Sequence, residues 1–110
     1  MTEIREILRR DLSEALKAGS AERTSLIRSL IAAVENAEAI EPQPGDIATE
    51  APRRRLTDAD LLAIVTRERS ELLAAAAEYE RGGRAEEAAR LRAHADVVER
   101  YTTLFEREPS

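Results

Sequence analysis

Apolar residues in this chain recur at intervals of three and four, and that spacing limits the fold more than any motif does. Ile4, Ile7, Leu8, Leu12, Ala15 and Leu16 share one side of a helix. Leu26, Ile27, Leu30, Ile31, Val34 and Ala37 repeat the pattern, as do Leu61, Ile64, Val65, Leu72, Ala75, Ala76 and Tyr79 further on. A fourth stripe runs through Ala88, Leu91, Ala95, Val98, Thr102 and Phe105. No segment alternates with the two-residue period of a strand.

The punctuation between stripes agrees with the period. Thr2 is placed to cap the first helix, Gly19 to end it in a left-handed conformation, and Ser20 to cap the second. Thr57, with Asp60 three residues on, predicts a capping box, and Leu56 a staple to Leu61. Gly82 and Gly83 stop the third helix; Glu86 and Glu87 suit the positive end of the fourth, and Pro109 lies beyond it. From Glu41 to Arg55 the pattern dissolves, and Pro42, Pro44, Gly45 and Pro52 predict a long, mobile, proline-rich loop over 41–55.

The expected fold class is therefore all-α: one domain, 1–110, a small bundle of about four amphipathic helices arranged as two helical hairpins. Composition agrees, because 43% of residues are hydrophobic but only 3% aromatic, so the core must be built from Leu, Ile, Val and Ala. A β-sandwich or barrel leans on aromatic and β-branched residues. Sustained heptads of a simple coiled coil are absent.

Charge placement raises a sharper question. Arg23 projects among Leu26, Leu30 and Val34, Arg28 lies toward the edge of that face, and Glu68 interrupts the third stripe between Val65 and Leu72. An unpaired charge on a buried face is costly, so Glu68 is expected to pair with Arg23 or Arg28 across the helix interface and fix its register. A catalytic carboxylate–arginine pair is the competing reading; the structural one is preferred because acid–base sites gather further groups. On the other side of the second helix Ser25, Ser29, Ala32 and Asn36 form a small, polar seam. It is either solvent-facing or a place of close approach for a partner.

Several chemistries are excluded or unsupported. Cysteine is absent, which removes disulfides and thiolate sites and fits a reducing compartment. His94, the lone histidine, has no second ligand at metal spacing and is read as a packing or surface residue. Tyr79 and Tyr101 are read as packing residues with rim hydroxyls rather than base-stacking platforms. The "RGGRAEEAAR" stretch has no phosphate-loop ending, and no nucleophile-elbow pattern surrounds any serine. There is neither a signal-like start nor an apolar run that spans a membrane, so a cytoplasmic location is expected. A net charge of −5 is the wrong sign for a nucleic-acid-coating protein, although a local basic patch still acts on phosphate. Arg53, Arg54 and Arg55 form one such run of cations.

The stretches "LKAGSAERTSLIRSLIAAVENAE", "LTDADLLAIVTRERSELLAAAAEYERGGRAEEAARL" and "ADVVERY", in that order, resemble the YqeY family, which is related to the tail domain of the GatB subunit of aspartyl/glutamyl-tRNA amidotransferase. Lys17, Gly19, Arg23, Arg28, Asn36 and Glu38 fall on matching positions in the first half. Leu56, Glu68, Glu78, Tyr79, Gly83, Arg84 and Tyr101 do so in the second. The chain departs from the pattern at Thr102 and Thr103, where the family has Leu-Pro, and the family's C-terminal helical subdomain has no counterpart.

The resemblance implies an all-α, non-catalytic accessory domain without cofactor or metal, with tRNA or a tRNA-linked protein complex as partner. Lys17, Arg28, Arg53, Arg54 and Arg55 are then the residues for RNA contact. The alternative is a protein-interaction or homodimerisation module using Ser25, Ser29 and Asn36. Neither reading involves a membrane.

Overall fold

The computed structural model describes residues 4–39 and 55–106. The 41–55 loop, apart from Arg55, lies outside the described residues, as does the Thr2 cap. Four helices make up the described chain: α1 (Ile4–Lys17), α2 (Ala21–Glu38), α3 (Asp58–Arg81) and α4 (Ala85–Glu106). Among the described residues there is no strand, and the architecture is the expected all-α bundle of two hairpins.

Both hairpin corners use the same device. Gly19 has φ of +71° and Gly83 of +78°, a left-handed conformation in which a Cβ is strained. Each turn reaches back to the helix it ends, Ser20 N–H to the Ala15 carbonyl at 3.0 Å and Arg84 N–H to that of Tyr79 at 2.8 Å. These bonds satisfy carbonyls that the helix ends would otherwise leave unpaired. The starts are fixed as predicted: Ser20 Oγ accepts from Arg23 N–H at 3.3 Å. Thr57 Oγ1 accepts from Asp60 N–H at 3.1 Å, while Asp60 Oδ2 accepts from Thr57 N–H at 3.0 Å.

The core joins the hairpins at one end. Ile4, Leu8 and Ala15 of α1 pack with Leu26, Ile27, Leu30 and Val34 of α2, Leu61 and Val65 of α3, and Val98 and Tyr101 of α4. The first half of α3 and the last half of α4 therefore close onto the first hairpin. Farther out, α3 and α4 hold each other through buried Ala76, Ala88 and Ala95, whose small side chains allow close approach of the backbones. With α3 extending about 36 Å at the helical rise, the tip carrying Gly82 and Gly83 projects beyond the shared core, and the molecule measures 51 × 35 × 31 Å.

Two apolar assignments need correction. Leu16 is 52% exposed: in the last turn of α1 it is Ala15 that turns inward, and Leu16 borders an open groove beside α2 instead of the core. Tyr79 is 37% exposed near the α3–α4 tip, where its ring lies under the Arg84 guanidinium at 5.4 Å.

Candidate functional site

Helix α2 is the hub of the candidate surface, because its three sides face three different environments. Its buried side carries Thr24, Leu26, Ile27, Leu30 and Val34. Thr24, not Arg23, takes the first inward position. Arg23 is exposed: it lies in the first turn, where a long side chain carries its charge past the edge of the core. Its guanidinium is still close enough to the Tyr101 phenol to favour the ionised form.

The second side of α2 borders a groove of about 620 Å³ that includes Ala15, Leu16, Ser25, Arg28, Ser29 and Ala32. Arg28 is exposed there. The third side faces a cleft of about 530 Å³ between the hairpins, lined by Ser25, Leu26, Ser29 and Leu30 of α2 and by Glu68, Glu71, Leu72 and Ala75 of α3. Ser25 and Ser29 form the ridge between groove and cleft, and Ser29 Oγ donates to the Ser25 carbonyl at 3.1 Å.

This arrangement overturns the expected ion pair. Glu68 forms no salt bridge to Arg23, Arg28 or any other described residue: Arg28 lines the groove beyond the serine ridge, and Arg23 is exposed in the first turn of α2 and does not line the cleft. Glu68 is half-buried in the cleft, and burial first, then the neighbouring Glu71 charge, push its carboxyl above the usual range despite the opposing effect of Arg67. The sign follows. A raised pKa means that the folded state favours the protonated form, so ionisation costs stability as pH rises through the carboxylate range. Glu68→Gln is accordingly expected to leave the protein as stable as the parent or slightly more so at neutral pH. Urea unfolding should show the advantage fading below about pH 4. A clear loss at neutral pH would restore an attractive partner for Glu68.

Tyr101 supplies a contact that the sequence reading missed. It is only 5% exposed, and its hydroxyl donates to Asp11 Oδ2 at 2.6 Å, inside the fold rather than at the rim. Burial and the Asp11 hydrogen bond and charge push the phenol well above its ordinary value, with Arg23 and Arg10 opposing. A signal was present: Ile4, Leu8, Asp11 and Ala15 share one helical face, so Asp11 interrupts the first stripe as Glu68 interrupts the third.

The remaining expected site residues scatter. Lys17, Ser25, Ser29, Asn36 and Arg55 are exposed, whereas Arg53 and Arg54 lie outside the described residues. Lys17, Arg23 and Arg28 cluster in sequence around the first corner, and among the described residues none has an ion-pair partner. The arginines of α3 and α4 differ. Arg67 lies 3.1 Å from Glu71, Arg69 3.6 Å from Glu99, Arg81 3.1 Å from Glu78 and Arg90 2.7 Å from Glu87, and Arg92 pairs with Glu80. His94 Nε2 is 3.6 Å from Glu22 Oε2, and Arg90 Nη1 is likewise 3.6 Å from Glu22 Oε1, which ties α4 to the start of α2. Among the described residues no three His, Asp or Glu side chains gather to hold a metal ion, and no helix is long and apolar enough to cross a membrane.

Two helical hairpins around one aliphatic core define a small all-α domain in which Lys17, Arg23 and Arg28 of the first hairpin are exposed and unpaired among the described residues, while most arginines of the second are paired with carboxylates. The chain belongs to the YqeY family: the sequence pattern described as Yqey-like protein matches residues 5–104. No curated protein and no solved structure matches it.

Proposed function

We propose that this YqeY-family chain is a non-catalytic accessory domain that holds RNA on its first hairpin, with tRNA the ligand suggested by the family's relation to the GatB tail. The observation that carries this reading is the segregation of free charge. Lys17, Arg23 and Arg28 are exposed and lack ion-pair partners among the described residues, whereas most arginines of the second hairpin are held by carboxylates. A cation already paired with a carboxylate must give up that partner before it can displace a counterion from the phosphate backbone, so unpaired cations bind at lower cost. A non-catalytic role fits the groups at hand, since Ser29 Oγ donates to its own helix rather than to a base.

Only two or three cations take part, so binding should be weak and strongly salt-dependent. Affinity for tRNA is expected to fall roughly 10- to 40-fold between about 50 and 200 mM salt. The Arg23→Glu/Arg28→Glu double variant should lower low-salt affinity by at least about tenfold and flatten the salt slope. Arg81→Glu, at the tip of the second hairpin, should change little. Absence of binding at low salt, or equal losses from the two variants, would defeat the RNA reading.

One observation favours a second reading. Ser25, Ser29, Ala32 and the exposed Leu16 line a single groove, with Asn36 exposed one turn beyond Ala32, a surface suited to a helix of a partner or second copy. A light-scattering mass that doubles with concentration, and reverts to the monomer in Ser29→Arg, would favour it.

A further inference from the structure

We infer that the cleft between the two hairpins is a binding site for an aliphatic cation, an ammonium or guanidinium group carried on a hydrocarbon stem. The site is separate from the RNA-facing arginines and does not rest on the RNA reading.

The argument begins with what the cleft offers and what it has already used. Its volume of about 530 Å³ is within the ordinary size of a small-ligand pocket. Leu26 and Leu30 on one wall and Leu72 and Ala75 on the other are apolar and suit a short methylene stem. Between them stands Glu68, half-buried and without an ion pair among the described residues, with Glu71 one turn away and already paired with Arg67 at 3.1 Å. Ser29 donates its own proton to the Ser25 carbonyl, so at the edge of the cleft its hydroxyl oxygen can serve as an acceptor.

The positive groups around the cleft already face carboxylates, one of them Glu22 of the cleft's own lining. Arg90 lies 3.6 Å from Glu22 and 2.7 Å from Glu87, which leaves it little capacity for an incoming anion. His94 closes the same end, its Nε2 shielded from solvent, without a hydrogen bond and 3.6 Å from Glu22 Oε2. The cleft thus presents the unpaired Glu68 carboxylate and the Ser29 hydroxyl oxygen to a guest, and among the described residues that line it no free lysine or arginine. A phosphate or carboxylate ligand would be repelled, and an uncharged alkyl chain would leave Glu68 half-buried and unpaired. An N–H cation on an alkyl stem meets both the walls and the charge.

Two sources share this chemistry, a free polyamine and a lysine or arginine side chain on a partner polypeptide. The test uses the full chain, isotopically labelled, with backbone amide resonances followed during titration with n-butylguanidinium and n-butylammonium at constant ionic strength. Butanol serves as the uncharged control. Saturable shifts at Ser25, Ser29, Glu68 and Ala75 are expected with both cations and not with butanol. Glu68→Gln should weaken binding by about tenfold, while Glu78→Gln on the exposed tip leaves it unchanged. In the parent protein, acidification below about pH 4 should release the cation as the carboxylates protonate, an independent readout that needs no variant. Spermidine and a blocked lysine- and arginine-containing peptide then distinguish the sources, since the physiological class should bind more tightly than the simple amines. Non-saturating shifts, equal shifts with butanol, or undiminished binding by a folded Glu68→Gln protein would overturn the proposal.

Discussion

Replacing Ile27 with alanine is expected to remove about 2–5 kcal/mol of folding free energy. Ile27 has no exposed surface and belongs to the one cluster to which all four helices contribute. Truncation loses the transfer free energy of the deleted carbons and leaves a cavity that capped helices on both sides are poorly able to close. A domain of this size holds on the order of 5–15 kcal/mol in total, so the melting temperature should fall by roughly 10–20 °C. Leu16→Ala provides the internal control. Leu16 is half exposed, and its truncation should cost less than about 1 kcal/mol. Because the core is shared, both hairpins should unfold together in the Ile27→Ala protein, with helix content and the tyrosine signals changing at one denaturant concentration. If the variant lost no more than Leu16→Ala, the hairpins would not share a core.

Much of that architecture was legible because its determinants are local. Thr57 and Asp60 satisfy each other's backbone across one turn, Ser20 caps the helix it begins, and Gly19 and Gly83 hold a conformation that other residues adopt at a cost. Each device acts over three to five residues and is therefore visible in a short window. The inward sides of α2 and α3 were also readable in outline, since Leu26, Ile27, Leu30, Leu61 and Val65 follow the helical period that buried them.

The site was less legible, for a geometric reason. Period assigns a residue to a side of its helix but does not say where the neighbouring helix stops. Arg23 and Leu16 both project onto apolar faces, yet each lies within a turn of a helix end and emerges into solvent. The proposed Glu68–arginine pair failed on the relation between helices: α2 shows its serine ridge to the cleft and its arginines to other sides. Asp11 and Tyr101 are ninety positions apart, and their hydrogen bond required the crossing of α1 and α4 to be known. The interrupted stripe at Asp11 announced a buried carboxylate in need of a donor without identifying the donor.

Tyr101→Phe is expected to cost about 1.5–3 kcal/mol, the range for a hydrogen bond to a charged group. The ring still fills its place among the core residues, so the loss reports the hydroxyl alone. Asp11, with only 13% of its side chain exposed, keeps Arg10 nearby at 3.5 Å but loses its close donor. The same contact gives the parent an alkaline limit. Burial and the Asp11 carboxylate raise the Tyr101 phenol above its unfolded value, so the folded state retains the proton longer than the unfolded chain. That stabilisation is fully present below about pH 10, the unfolded value, and declines above it as the unfolded state alone ionises. Urea unfolding followed across the alkaline range should therefore fall more steeply for the parent than for Tyr101→Phe. In a double-mutant cycle with Asp11→Asn, the Phe change should cost much less once the carboxylate is gone, with a coupling of about 1 kcal/mol or more. Parallel alkaline profiles and additive losses would mean that the short contact holds no energy, leaving only aliphatic packing to fasten α4 to α1.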